Sequence, residues 1–132
     1  VSDFRAQQIA IVETYLDAGL LQHKPENVLF AENCTRWEMG YATGSGAAQL
    51  RELLKDPAYE GNEAIENRRW LVEGDEVDCF YDLRIAGLPE SLKIATRFTI
   101  ENKLISRIEI YVCAGEIQQI IMDQIKLLSE NL

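Results

Sequence analysis

An α+β domain is what this sequence predicts, with helices in the first half of the chain and a twisted antiparallel sheet in the second, closed around an apolar pocket. Three observations predict it. Apolar residues recur at helical spacing before Tyr59, they alternate with polar ones after it, and one apolar sheet face is left for the preceding helices to cover. With 132 residues and 47% apolar content, the chain suits one domain over residues 1–132, because two cores this small would each be marginal.

The first segment offers Ser2 or Asp3 as a cap, then Ile9, Val12, Leu16 and Leu20, with Tyr15 beside the same stripe. That spacing marks an amphipathic helix, and Gly19 lies near its end. Pro25 is suited to the first turn of a short second helix carrying Val28, Leu29 and Phe30. A brief strand over residues 34–39 follows. Ser45 is placed to cap a third helix with Ala47, Leu50, Leu53 and Leu54 inward, stopped by Asp56-Pro57.

The sheet comes next. Val77, Cys79, Tyr81, Leu83 and Ile85 alternate with Asp78, Phe80, Asp82 and Arg84, while Leu92, Ile94, Thr96, Phe98 and Ile100 form the apolar set of the next strand. Ile108, Ile110 and Val112 repeat the pattern against Arg107, Glu109 and Tyr111. Turn signals at Gly74-Asp75, Gly87-Leu88-Pro89 and Asn102-Lys103 separate the runs, as in consecutive hairpins. Residues 62–73, including Trp70, alternate less regularly and are assigned to the sheet without faces. The outer face carries Asp78, Asp82, Arg84, Arg97, Arg107 and Glu109, interleaved with Phe80 and Tyr111. A solvated charged face fits this pattern, and two exposed aromatics tilt it towards a wet, symmetric homodimer interface.

A net charge of −9, from 13 basic and 22 acidic residues, repels nucleic acid and anionic membrane surfaces alike. No apolar run approaches a bilayer span and no basic-then-apolar leader precedes the first helix, so a cytoplasmic setting is expected. Cys34, Cys79 and Cys113 show no paired spacing and read as buried small residues, and the single histidine, His23, reads as a solvated loop residue. Neither a metal nor a cofactor is expected. Gly44-Ser45-Gly46 matches no phosphate-binding motif.

The order helix, short helix, strand, helix, curved meander resembles the nuclear transport factor 2-like superfamily, which includes ketosteroid isomerases, SnoaL-like polyketide cyclases and limonene epoxide hydrolases. Tyr15-Leu16-Asp17-Ala18-Gly19 is similar to that group's end of helix one, and Phe30-Ala31-Glu32-Asn33-Cys34-Thr35 to its entry into the first strand. Gly46 with Leu50 resembles the entry to helix three, and Glu73 to Val77 and Lys103 to Tyr111 resemble its later hairpins. The likeness covers residues 3–113. It implies a cone: an α+β barrel in which three N-terminal helices pack on a curved, mixed or antiparallel sheet, enclosing a cavity for a small, largely apolar molecule.

The resemblance also implies a site. Counting from Phe30-Ala31, Glu38 falls where ketosteroid isomerases carry their general-base aspartate. A carboxylate in a dry wall there abstracts a proton beside a carbonyl or activates a water. Arg36, two residues earlier, projects from the same side of the strand and would orient Glu38 or bind an anionic substrate group. A solvated pair at the strand end, next to Met39-Gly40-Tyr41, is the competing reading. Tyr15, Trp37, Trp70 and Tyr81 are the aromatic candidates for the cavity wall, although Trp37 and Glu38 are adjacent and cannot both point inward without a bulge. Tyr81 stands out, since its hydroxyl needs a partner when buried.

Departures from the resembling families narrow the chemistry. The isomerases' oxyanion tyrosine falls near Val12 and its assisting acid near Ala95 or Thr96. The epoxide hydrolases' Arg-x-Asp feature falls near Tyr81 and Leu83, and their second aspartate near Ile110 or Cys113. Two reading classes stand: a cyclase, isomerase or lyase with Glu38 as acid/base and no metal, or a non-catalytic module that binds a ligand or another protein. Beyond the core, residues 115–130 form an extra helix with Ile117, Ile120, Ile121, Ile125 and Leu128 on one face and Met122 nearby. Packing within or between subunits is the simpler role, and a lid over the pocket the other.

Overall fold

The computed structural model describes residues 2–132. Helix α1 (Ser2–Glu13) continues without a break into a π-helical stretch, Thr14–Leu21. The cap expected at Ser2 or Asp3 rests partly on side chains outside the described residues. Thr14 explains the change of pitch. Its Oγ1 donates to the Ile11 carbonyl at 2.7 Å and accepts the Leu29 N–H at 3.2 Å, competing with the regular ladder. The wider turns close with Gln22 N–H donating to the Asp17 carbonyl at 2.8 Å. Tyr15, Leu16, Ala18, Gly19 and Leu20 are buried along this stretch. A Cβ on Gly19 would stand 3.2 Å from Val28 and 3.3 Å from Leu54, so the missing side chain allows the close approach.

The expected second helix is only a 3₁₀ turn, Pro25–Asn27. Val28 is already extended (φ −81°, ψ 133°) and Phe30 opens β1 (Phe30–Glu38). Three residues cannot nucleate an α-helix, and Val28 and Phe30 favour extended backbone. The first strand is therefore longer than the expected 34–39, and it is followed by a strand absent from the sequence reading, β2 (Tyr41–Ser45). Met39 and Gly40, at φ 50° and 83°, form the two-residue turn between them. Ser45 ends β2 instead of capping a helix. Its N–H is taken by the Gln49 side chain at 2.7 Å, and α2 (Ala47–Leu53) starts after Gly46.

After a 3₁₀ turn at Pro57–Gly61 come β3 (Asn62–Glu73), β4 (Glu76–Ile85), β5 (Leu92–Glu101) and β6 (Leu104–Cys113). The six strands lie in the order β2-β1-β6-β5-β4-β3. All pairs are antiparallel except β1 with β6, which is parallel, so the curved sheet is mixed. The irregular alternation of residues 62–73 has its cause in a register shift between Glu66 and Arg69, where Asn67 adopts φ 55°. The bulge turns Arg68 towards α1 and its continuation. Its guanidinium donates to Asp17 at 2.6 Å and Glu13 at 3.2 Å, tying helix to sheet.

The inner sheet face packs on α1, its π-helical continuation and α2. Val77, Cys79, Phe98, Ile100, Ile105 and Ile108 are almost wholly buried there with Val12, Leu16 and Leu50. The outer face bears the charged residues in pairs. Cys34 and Cys79 are buried, but Cys113 is exposed, because it alternates with Ile110 and Val112 on β6 and falls on the outer face with Arg107, Glu109 and Tyr111. A short 3₁₀ turn, Gly115–Ile117, leads to α3 (Gln118–Glu130). Gln118 holds this helix to its own strand, donating from Nε2 to the Val112 carbonyl at 2.9 Å and accepting the Ala114 N–H. Ile125 is buried and Ile117 and Ile121 pack on the core, whereas Ile120 is 56% exposed. The inward stripe of α3 is thus narrower than expected, and Ile120 stands off it with Leu127. No helix among the described residues is long and apolar enough to cross a membrane.

Candidate functional site

The inner layer encloses a cavity of about 460 Å³. Its walls are mostly aliphatic, with Leu83, Ile85, Leu92, Ile94, Ile110 and Val112 from the sheet, and Ile121, Ile125 and Leu128 of α3 along one side. Polar groups gather at Tyr15, Arg36, Glu38, Tyr59 and Tyr81. An apolar wall with a few convergent polar groups is the usual form of a small-molecule site.

Strand register explains how they meet. On β1, Arg36 and Glu38 face inward and Thr35 and Trp37 outward, as period two requires. Glu38 pairs with Ile110, Ile110 with Thr96 and Thr96 with Cys79, forming one transverse row. Val112, Ile94 and Tyr81 form the neighbouring row, two residues along each strand. Opposite β1, the register shifts: Arg36 lies across from Gly44 but Trp37 across from Ala42, leaving Thr43 as an extra residue. Gly44 is required beside this bulge, since a Cβ there would collide with Leu50 Cδ2.

Thr43 serves both members of the inner ion pair. Its carbonyl accepts from Arg36 Nε at 3.3 Å and Nη2 at 3.0 Å, while its Oγ1 donates to Glu38 Oε1 at 3.0 Å. Arg36 Nη1 donates to the hydroxyls of Tyr15 at 3.3 Å and Tyr59 at 3.2 Å. Arg36 Nε also stands 3.4 Å from Glu38 Oε1, and the arginine side chain is only 1% exposed. Burial works against the guanidinium's charge, but Tyr59, Tyr15 and Glu38 outweigh it and hold the pKa well above the ordinary value. Arg36 is a permanent buried cation.

Burial also raises the Tyr15 and Tyr81 phenols well above their usual pKa, so both remain neutral O–H donors. Glu38 Oε1 is occupied, whereas Oε2 has no partner among the described residues. No fully enclosed side-chain nitrogen or oxygen there lacks a hydrogen bond, so Oε2 is accessible, in a side chain that lines the cavity. Asp56, exposed at the rim, accepts the Ala58 N–H at Oδ1 at 2.8 Å.

Of the six residues singled out from sequence, the cavity brings together Tyr15, Arg36, Glu38 and Tyr81. Trp37 and Trp70 do not line it. Trp37 points outward, with Arg107 5.1 Å over its ring, because its neighbours Arg36 and Glu38 take the inner side. Trp70 lies across from Cys79 and packs against the core away from the cavity. Sequence reasoning missed Thr43 and Tyr59. The Met39-Gly40 turn was a usable signal for the strand carrying Thr43, whereas Tyr59 sits in a 3₁₀ turn with no periodic pattern.

A curled six-stranded sheet with helices on its inner side and an apolar cavity between them defines the nuclear transport factor 2-like fold. Solved structures of that class are similar along most of the chain. A putative ketosteroid isomerase from Kribbella flavida superposes with a TM-score of 0.69 at 18% identity, covering 83% of this chain and 80% of its own. A putative isomerase of the SnoaL-like family from Agrobacterium tumefaciens gives 0.67 at 13% identity over 83% and 99%. An LEH-like epoxide hydrolase of M. tuberculosis gives 0.67 at 17% identity over 96% and 91%. The chain belongs to the family described as a domain of unknown function (DUF8021), whose model matches residues 1–112. No curated protein matches it.

Proposed function

We propose that this chain binds a small, largely apolar molecule in the cavity of a single domain spanning residues 1–132, and that Glu38 performs acid/base chemistry on it. The observation that carries the proposal is the division of labour at Glu38. One carboxylate oxygen is held by Thr43 and Arg36, and the other is left without a partner among the described residues in a side chain that lines an aliphatic chamber. A base so held is oriented without being consumed, and the dry wall strengthens its interaction with a reacting proton. Cyclase, isomerase or lyase chemistry needs little more than one such group and a shaped cleft. The fold neighbours titled as putative isomerases and as an epoxide hydrolase are compatible with this reading.

Binding is tested with N-phenyl-1-naphthylamine, a neutral dye that brightens in apolar sites. Saturable binding that is abolished by Leu83→Trp, which fills the chamber, is expected. Equal binding by the filled variant would place the dye elsewhere and refute the proposal. Acid/base action is tested by following exchange of the acetyl protons of 2-acetylnaphthalene in D₂O by NMR. Acceleration by the native chain and its loss in Glu38→Gln, with dye affinity retained, is the expected result. The engagement of Glu38 by Arg36 favours a second reading, a module that binds without turnover, and a chain that binds the ketone without accelerating exchange would establish it.

A symmetric homodimer through the outer sheet face belongs to the same proposal. Phe80 and Tyr111 are 42% and 50% exposed there, beside Arg69 and Lys93. Sedimentation of the native chain and of Tyr111→Glu tests it, a monomer in both cases counting against the dimer.

A further inference from the structure

A buried arginine in a ligand cavity invites the idea that it holds an anionic group, as expected above for Arg36. The donor inventory argues otherwise. A guanidinium has five N–H groups. Four of them are engaged by protein acceptors: two by the Thr43 carbonyl, one by Tyr15 and one by Tyr59. The charge is matched by Glu38 at 3.4 Å, and the side chain is almost closed to solvent. A carboxylate or phosphate entering the chamber would find the cation already paired and would bring Glu38 a like charge. An uncompensated charge in an apolar wall is strongly disfavoured.

The phenols are in the opposite condition. Tyr15 and Tyr59 accept from Arg36, which leaves each hydroxyl hydrogen without an acceptor among the described residues. Tyr81 is 2% exposed, yet its hydroxyl makes no hydrogen bond with any described residue. Since no fully enclosed side-chain oxygen among the described residues is left unpaired, that hydroxyl is not sealed off, and Tyr81 lines the cavity from the inner face of β4. A buried phenol aimed into an apolar chamber with nothing to donate to is half of a recognition pair.

We infer that the cavity selects a neutral ligand carrying a hydrogen-bond acceptor oxygen, of carbonyl, ether or epoxide type, which Tyr81 engages with Tyr15 beside it, and that it rejects carboxylates and phosphates despite Arg36. The inference rests on the ligand-binding reading above and gives it a substrate class. The Arg36–Glu38 pair then makes the polar floor electrically neutral, and the tyrosines supply its directional contacts. Burial keeps Tyr81 and Tyr15 protonated, so donation persists through neutral and mildly alkaline pH.

The test uses the full chain and three probes of one shape: 2-acetylnaphthalene, 2-ethylnaphthalene and 2-naphthoate, titrated calorimetrically at neutral pH. The ketone is expected to bind about 3–10-fold more tightly than the hydrocarbon, the worth of one ordinary hydrogen bond. Naphthoate is expected to bind more weakly than either. Tyr81→Phe removes one oxygen without altering shape, and is expected to erase the ketone's advantage while leaving ethylnaphthalene affinity unchanged. Ketone and hydrocarbon binding equally, naphthoate binding most tightly, or Tyr81→Phe weakening both neutral probes alike would each overturn the inference and leave the apolar pocket standing. Failure of all three probes to bind would overturn the ligand-binding reading itself. The three-probe order is measured on the native chain, so the test does not depend on folding of the variant.

Discussion

Two arginine–carboxylate pairs sit on opposite faces of the same sheet. On the outer face, Arg97 grips Asp78 with two bonds of 2.8 and 3.1 Å, yet its side chain is 54% exposed. On the inner face, Arg36 stands 3.4 Å from Glu38 in poorer mutual geometry, and it is 1% exposed. Distance alone would rank the outer pair first. Environment reverses the order, because water and salt screen the outer charges while the inner ones depend on Thr43, Tyr15 and Tyr59 for their solvation. The outer pair joins two strands, whereas the inner pair builds a neutral polar floor in an apolar chamber.

The largest effect follows from removing the inner cation. Arg36→Ala leaves Glu38, the Thr43 carbonyl and two tyrosines without their shared partner, and is expected to cost about 3–5 kcal/mol in urea unfolding, as for broken buried pairs. Arg97→Ala is expected to leave the urea midpoint nearly unchanged. Equal effects of the two substitutions would break the comparison. Thr43→Val keeps shape but deletes the donor to Glu38, with an expected loss of about 1–3 kcal/mol. That loss should shrink sharply when Glu38→Leu, which leaves no acceptor for the Thr43 hydroxyl, is already present, a coupling readable in a double-mutant cycle.

Alkaline titration is the next sharpening. Burial pushes the Cys34 thiol up to about 12 and the Cys79 thiol up to about 11, from an ordinary value of 9.0. A neutral thiol favoured by the fold contributes stability that is complete below pH 9 and is lost as pH rises through the folded-state values. Stability is therefore expected to fall from about pH 9 upward, and less steeply in Cys79→Ala. A profile unaffected by that substitution would contradict the burial argument. The smallest effect concerns thiol labelling at neutral pH: one cysteine, Cys113, reacts with a disulfide reagent in the native chain and three react once it is unfolded. Rapid native labelling of Cys34 or Cys79 would show the core to be more open than described.

Periodicity made most of the sheet legible. The inward sets of β4, β5 and β6 and the three later turns are where alternation and turn residues put them, since each strand has one buried face and one wet face. Where two residues oppose one, the same logic fails. The bulge near Asn67 hid the faces of β3, and the bulge at Thr43 lies in a five-residue strand containing Ala42 and Gly44, too short and too small-sided to alternate. Cys113 was legible as an outer-face residue from the alternation of β6, which puts it with Tyr111, whereas Ile120 is exposed because a terminal helix buries only what neighbouring layers reach. Arg36, Glu38 and Tyr81 were legible as same-face residues of their strands. Tyr59 was not, because its approach to Arg36 depends on how the turn after Pro57 docks.

The inner face is proposed as a ligand chamber and the outer face is not. Methyl-labelled NMR titration with 2-acetylnaphthalene addresses it directly, through Ile94, Ile110, Val112 and Ile125 lining the chamber and Leu71 exposed outside it. The expected result is saturable shifts of the four chamber methyls with Leu71 unmoved. Shifts confined to Leu71 and the outer face, with the chamber methyls silent, would contradict it.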